Sequence, residues 1–101
     1  MSTFEKVYEQ VRKVPKGKVT TYGEIGRVTR LNPRVIGYAL HANPDGDKTP
    51  CHRVVTVDGR VATGYAFGGE GIQRKLLEAE GVTFKDESHV NIKNFFFPLE
   101  K

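Results

Sequence analysis

The tripeptide Leu31-Asn32-Pro33 constrains this 101-residue chain most, because it both ends one helix and begins another. The residue before a proline is pushed out of the α region, so a helix arriving from the N-terminal side stops there. Asn32 is a good N-cap, and Pro33 suits the first helical position, where its missing N–H costs nothing. The following helix runs through Arg34-Val35-Ile36-Gly37-Tyr38-Ala39-Leu40-His41. The helix before it opens at Thr21-Tyr22-Gly23-Glu24, a capping box, with Ile25 and Val28 inward and Arg27 and Arg30 outward. Two short helices joined by a tight turn form a helix-turn-helix pattern, which many proteins that never touch DNA also contain.

A packing helix precedes the pair. Ser2-Thr3-Phe4-Glu5 reads as its capping box, and Phe4, Val7, Tyr8, Val11 and Val14 recur at helical spacing. Pro15-Lys16-Gly17 ends it, and Val19-Thr20-Thr21 is a short extended link. Further on, Val54-Val55 and Val61 are strand residues on either side of a tight turn at Asp58-Gly59. A helix spans 71–81, closes on the Gly81 cap, and turns Ile72, Leu76, Leu77 and Ala79 inward. Val82-Thr83-Phe84 reads as a short strand, and Phe95-Phe96-Phe97 as the cluster that docks the C-terminal end. The expected fold is mainly α with a small β element, as one domain over 1–101.

Residues 1–34 hold eight Lys/Arg against three Glu, whereas the rest is close to neutral. A basic half suggests a polyanion-facing surface, with ordinary solvated lysines as the alternative. A lone cysteine forms no internal disulfide, which fits a reducing compartment. Three histidines (His41, His52, His89) and one Cys lack zinc-site spacing, so no metal is expected. No apolar run approaches ~20 residues and no signal pattern opens the chain, so no membrane association is expected. Thr63-Gly64-Tyr65-Ala66-Phe67-Gly68-Gly69 lacks phosphate-loop spacing and reads better as a wall closing over a planar ligand.

Chemistry concentrates in Thr49-Pro50-Cys51-His52-Arg53-Val54-Val55. The thiolate is the nucleophilic form of cysteine, and nearby positive charge or a proton-accepting His favours it. A lone cysteine is also, more often than not, a small buried hydrophobe. Glu80 lies where the dipole of a helix end disfavours an acid, unless a partner such as His52 or Arg53 holds it. Arg34 faces the opposite mismatch, a cation in a first turn, which makes sense if it reaches for phosphate or into a groove. Gly37, costly in a helix, calls for close approach of another surface or for tight helix packing.

Pro50-Cys51-His52-Arg53-Val54 resembles the active-site signature of the O6-alkylguanine-DNA alkyltransferases. Lys16 to Ile25 is similar to that family's entry to its helix-turn-helix, Pro33 to Leu40 to its recognition helix, and Asn43-Pro44 to its hinge. Thr63 to Ala66 with Gly68-Gly69 is similar to its substrate loop, with one residue more than the common Tyr-x-Gly-Gly form. Leu76 to Gly81 resembles the closing helix, so the likeness covers nearly the whole chain. The resemblance implies a winged-helix-like DNA-binding domain, without the N-terminal domain of most members. It implies DNA repair by irreversible transfer of an alkyl group from a flipped-out O6-alkylguanine to Cys51, one turnover per molecule and no cofactor. His52 would act as base through water, Glu80 would orient it, and Asn43 would brace the turn. Tyr22 would crowd the 3′ phosphate and assist the leaving guanine. Arg34 would enter the base stack, and Thr21 and Gly37 would lie against the DNA. Val54, Tyr65, Ala66 and Arg53 would line the base pocket. The implied partner is double-stranded DNA containing O6-alkylguanine, met by a monomer in the cytoplasm and nucleoid, or in the nucleus of a eukaryote. Alkyltransferase-like proteins are similarly short but carry Trp in place of the Cys. Sensing the lesion and recruiting other repair without transfer is therefore the alternative.

Overall fold

The computed structural model describes residues 2–62 and 69–100. The first helix, α1 (Thr3–Arg12), is capped as its sequence requires, with Ser2 Oγ accepting the Glu5 N–H at 3.1 Å. Its apolar stripe buries Val7, Tyr8 and Val11, with Phe4 left at the margin. The Glu5 carboxylate completes no box with Ser2. It is held by Arg12 at 2.7 Å, across two turns of the same helix.

Two further helices, α2 (Tyr22–Thr29) and α3 (Pro33–His41), form the expected pair. Thr21 Oγ1 accepts from Glu24 N and Asn32 Oδ1 from Val35 N, each at 3.0 Å, so both side-chain caps are made. The stop of α2 differs from expectation. Arg30 turns into the left-handed region at φ 62° and donates its N–H to Gly26 O at 2.8 Å, ending the helix before the proline acts.

Arg27, expected simply to face solvent, has a structural task. It binds Glu24 and also donates to Leu99 O, while Glu24 Oε2 accepts Leu99 N at 2.7 Å. Both polar groups of the Leu99 backbone are thus held by α2, and the Leu99 side chain is 3% exposed. Leu99 therefore anchors the C-terminal segment together with the expected phenylalanines, of which Phe97 packs on the first core and Phe95 on the second while Phe96 is 37% exposed. Their backbone pairs as well: Val19 N donates to Phe95 O and Phe97 N to Val19 O. A short helix, α5 (Ile92–Phe95), leads into this segment.

The small sheet is two residues wide on each strand. β1 (Thr20–Thr21) pairs in parallel with β2 (Val54–Val55), Thr20 opposite Val54 and Thr21 opposite Val55. Successive strand side chains point to opposite faces. Val54 accordingly joins the cluster of Val7, Tyr8, Val11, Ile25, Ile36, Ala39 and Leu99, whereas Val55 joins Val19, Val61, Leu77, Val82 and Val90. The strand that follows Cys51 is the seam between two cores.

The last long helix, α4 (Gly69–Ala79), buries a different stripe from the expected one. Ile72 and Leu76 are 39% and 38% exposed, and Ala79 is exposed, while Leu77 and Gln73 are fully buried. The reason is polar. Gln73 Oε1 accepts Ala62 N at 2.9 Å, and its Nε2 donates to His52 O and Val54 O at 3.0 Å each, which rotates the helix to seat the amide. At Asp58-Gly59 the chain turns as expected, with Gly59 at φ 92°, where a Cβ would lie 2.7 Å from Val90 O. The strand expected over 82–84 reduces to a single bridge between Phe84 and Val90. Among the described residues no helix is long and apolar enough to cross a membrane.

Candidate active site around Cys51

Pro50 sets the entry to the site. Its φ of −76° and ψ of 71° are those of an inverse γ-turn, and Cys51 N donates to Thr49 O across it at 2.8 Å. Proline fixes this φ without cost, so the turn is stiff where the sulfur begins. Thr49 is tied on every side. Its carbonyl also accepts Asn43 Nδ2 at 2.8 Å, its N–H reaches Asp45 O, and its hydroxyl takes Arg12 Nε at 3.0 Å. Asn43 in turn accepts Asp45 N through Oδ1 at 3.1 Å. Arg12 carries no sequence sign of this task, because its pairing with Thr49 joins segments 37 residues apart.

From Cys51 the chain enters a 3-10 turn, Cys51–Arg53, that buries both Cys51 and His52. His52 Nε2 lies 3.1 Å from Glu80 Oε2, which fixes the imidazole. With Nε2 donating to the carboxylate, the proton-accepting nitrogen is Nδ1. Glu80 is held more tightly still by Arg53, whose Nε and Nη2 reach Oε1 and Oε2 at 3.0 and 2.6 Å. A planar fork on a carboxylate is the stronger form of this contact. Arg53 Nη1 also donates to Val14 O at 2.8 Å, which ties the end of α1 to the carboxylate. Gly17, at φ 87°, closes the packing, since a Cβ there would meet Glu80 O at 3.2 Å.

The electrostatics follow from burial. Burial lowers the His52 pKa below its ordinary value, with the Arg53 charge in the same direction, against the bond and charge of Glu80. Burial raises Glu80, but hydrogen bonds from Arg53 and His52 outweigh it, so the carboxyl stays below its ordinary range. Tyr22 is raised by burial first and then by nearness to Cys51, which keeps its hydroxyl protonated. Tyr8 is raised by the same two causes, and its hydroxyl donates to Ala39 O at 2.7 Å.

The expected site residues thus divide. Cys51, His52, Glu80 and Asn43 converge, with Tyr22 packed against the cluster that contains the sulfur. Arg53 has its guanidinium on Glu80 and Val14 O, where a pocket wall was expected. The Val54 side chain is 1% exposed, given to the core by the strand alternation. The Thr21 hydroxyl is occupied as the α2 cap. Tyr65 and Ala66 lie outside the described residues. Arg34 is exposed on the first turn of α3. Gly37 has open space where a Cβ would stand, so tight helix packing does not explain it. It borders a groove with Tyr22, His41, Thr56, Arg60, Val61 and Ala62. Among the described residues no cluster of His, Cys, Asp and Glu is suited to hold a metal. Gln73 is the other group the sequence did not reveal, an amide on an otherwise amphipathic helix with no local sign of its three backbone partners.

A buried Cys-His-carboxylate arrangement set behind a helix-turn-helix is the frame in which the comparisons fall. Residues 2–82 match the family described as 6-O-methylguanine DNA methyltransferase, DNA binding domain. The methylated-DNA–protein-cysteine methyltransferase of Metallosphaera sedula is 46% identical over 80 residues, 79% of this chain and 49% of that protein. The DNA base-flipping protein of Thermus thermophilus is 45% identical over 76 residues, 75% of this chain and 50% of that one. The chain spans about half the length of these relatives. Among solved structures, S. pombe Atl1 in complex with damaged DNA containing O6-carboxymethylguanine superposes with a TM-score of 0.80 at 31% identity. That match covers 93% of both chains. The chain belongs to the 6-O-methylguanine DNA methyltransferase family, of which it carries the DNA-binding domain.

Proposed function

We propose that this protein repairs DNA by taking the alkyl group of a flipped-out O6-alkylguanine onto Cys51. The observation that carries the reading is a buried Cys51 beside His52 in one 3-10 turn, with His52 held by a Glu80 that Arg53 locks. A base within a duplex hides its O6 substituent, so attack by sulfur requires extrusion, which costs a few kcal/mol. Arg34, exposed on α3, enters the vacated stack, and the basic residues of the first third of the chain hold phosphates against that cost.

In the chemical step His52 Nδ1 accepts the thiol proton through water, and Glu80 stabilises the imidazolium. The thiolate attacks the alkyl carbon, the S–C bond forms, the C–O6 bond breaks, and guanine leaves with the electron pair. Tyr22, kept protonated, gives the departing guanine its proton, and the proton held on the His52 imidazolium returns through water to restore the Tyr22 hydroxyl. Asn43 braces the turn at Thr49 that aims the sulfur. Nothing in this sequence regenerates a thioether, so each molecule acts once. At 4% exposure Cys51 is shielded from bulk water.

The similarity to Atl1, over 93% of both chains, supports a second reading, in which the same fold binds the lesion and signals to other repair without transfer. Intact mass after incubation with duplex DNA containing O6-methylguanine separates the two. Transfer adds one methyl group to the wild type and none to Cys51→Ala. Tight lesion binding with no mass gain selects the sensor.

A further inference from the structure

Arg12 is one of the cations of the basic first third, yet its guanidinium is committed within the protein. Nε donates to Thr49 Oγ1 at 3.0 Å, and Nη1 meets Glu5 Oε1 at 2.7 Å. A planar group held through two of its nitrogens has little freedom to turn, so the bond to Thr49 has a fixed direction. Thr49 is 2% exposed, and its carbonyl accepts Cys51 N across the γ-turn at 2.8 Å. Two hydrogen bonds therefore lead from Arg12 to the residue that carries the sulfur. Two positions further along the chain, Val14 O accepts Arg53 Nη1 at 2.8 Å, and Arg53 holds the Glu80 carboxylate that fixes His52. The end of α1 thus supports the sulfur half of the site through one residue and the imidazole half through another.

Building on the proposed function, we propose that Arg12 is a positioning residue of alkyl transfer, which fixes the turn under Cys51 against the His52 base. Asn43 holds the Thr49 carbonyl and Arg12 its hydroxyl, so Thr49 is gripped at two separate polar groups. With one grip gone the turn rocks about the other, and the sulfur leaves its line to the alkyl carbon. Displacement at carbon is sensitive to such a shift: a misplacement of about 1 Å can lower a rate about 100-fold. The role is one of geometry, and it requires neither a charge beside the sulfur nor a contact with DNA.

The test is single-turnover methyl transfer from duplex DNA containing O6-methylguanine, read by intact mass over a range of duplex concentration. The proteins are wild type, Arg12→Met, Thr49→Val, Thr49→Ser and the Arg12→Met/Thr49→Val pair, each under conditions where its urea curve shows it fully folded. Arg12→Met and Thr49→Val should each lower the maximal rate about 10-fold or more and leave the half-saturating duplex concentration unchanged. Thr49→Val alters no charge, so its loss is one of geometry alone. The pair should lose no more than the worse single variant, since both cut the same bond. Thr49→Ser keeps the hydroxyl and should restore most of the rate. Where Arg12→Met fails to fold, Thr49→Val against Thr49→Ser decides. A wild-type maximal rate in Arg12→Met overturns the inference, as does a change in half-saturation alone, the mark of a phosphate contact. An equal loss in Thr49→Ser, or losses that multiply in the pair, overturn it too. If the wild type takes up no methyl group at any duplex concentration, the proposed function fails and the inference with it.

Discussion

At the scale of single residues the site keeps a carboxylate ionised beside an imidazole that burial favours as neutral. Glu80 and His52 shift in a way that has a readable pH signature. His52 binds a proton less readily folded than unfolded, so below its ordinary value of 6.5 the unfolded chain takes up more protons and stability falls. Glu80 stays ionised when folded, so a second loss sets in as pH drops through its ordinary value of 4.5. Stability is therefore greatest above the first value and declines in two stages on acidification. A urea-midpoint series across this range should show both stages in wild type, and His52→Gln should lose the upper one while keeping the lower. A single acid transition near 4.5 in both proteins would contradict the assignment.

At the scale of elements, α4 does more than cover the second core. Gln73 joins it to the carbonyls on either side of Arg53 and to the backbone just before residue 63. Gln73→Leu keeps roughly the volume and strands the buried carbonyls of His52 and Val54, each worth about 1–3 kcal/mol when left unpaired, together with the part-buried Ala62 N–H. The urea midpoint should fall by the equivalent of at least about 2 kcal/mol with unchanged denaturant slope. An alkylation rate that falls further than the folded fraction would mark the loosened His52 segment. The same helix shows where sequence reasoning gave out. Periodicity identified α4 and its Gly81 end correctly, but apolar spacing named Ile72 and Leu76, which are more than a third exposed. A buried amide that selects the helix rotation leaves no periodic trace. The caps at Ser2, Thr21 and Asn32 were legible because each acts within three residues of its own position.

At the scale of the whole molecule, two cores meet along β2, and Cys51 stands just ahead of that seam. The helix-turn-helix was readable from Leu31-Asn32-Pro33, and the reactive stretch from a lone Cys beside a His. What joins them was not readable, because Arg12 to Thr49, Arg53 to Val14 and Leu99 to α2 are long-range pairings without local signature. The basic excess of residues 1–34 lies on the elements that carry this frame, so charge and architecture are bound together.

Arg30 is where that bond becomes a conflict. A side-chain-bearing residue at φ 62° costs about 1 kcal/mol that glycine would not. Arg30→Gly should thus melt at a higher temperature and grip DNA less firmly, endurance rising as hold declines. Calorimetry beside a binding titration on that one variant reads both sides of the compromise, and an unchanged melting point would mean that the left-handed turn carries no penalty to relieve.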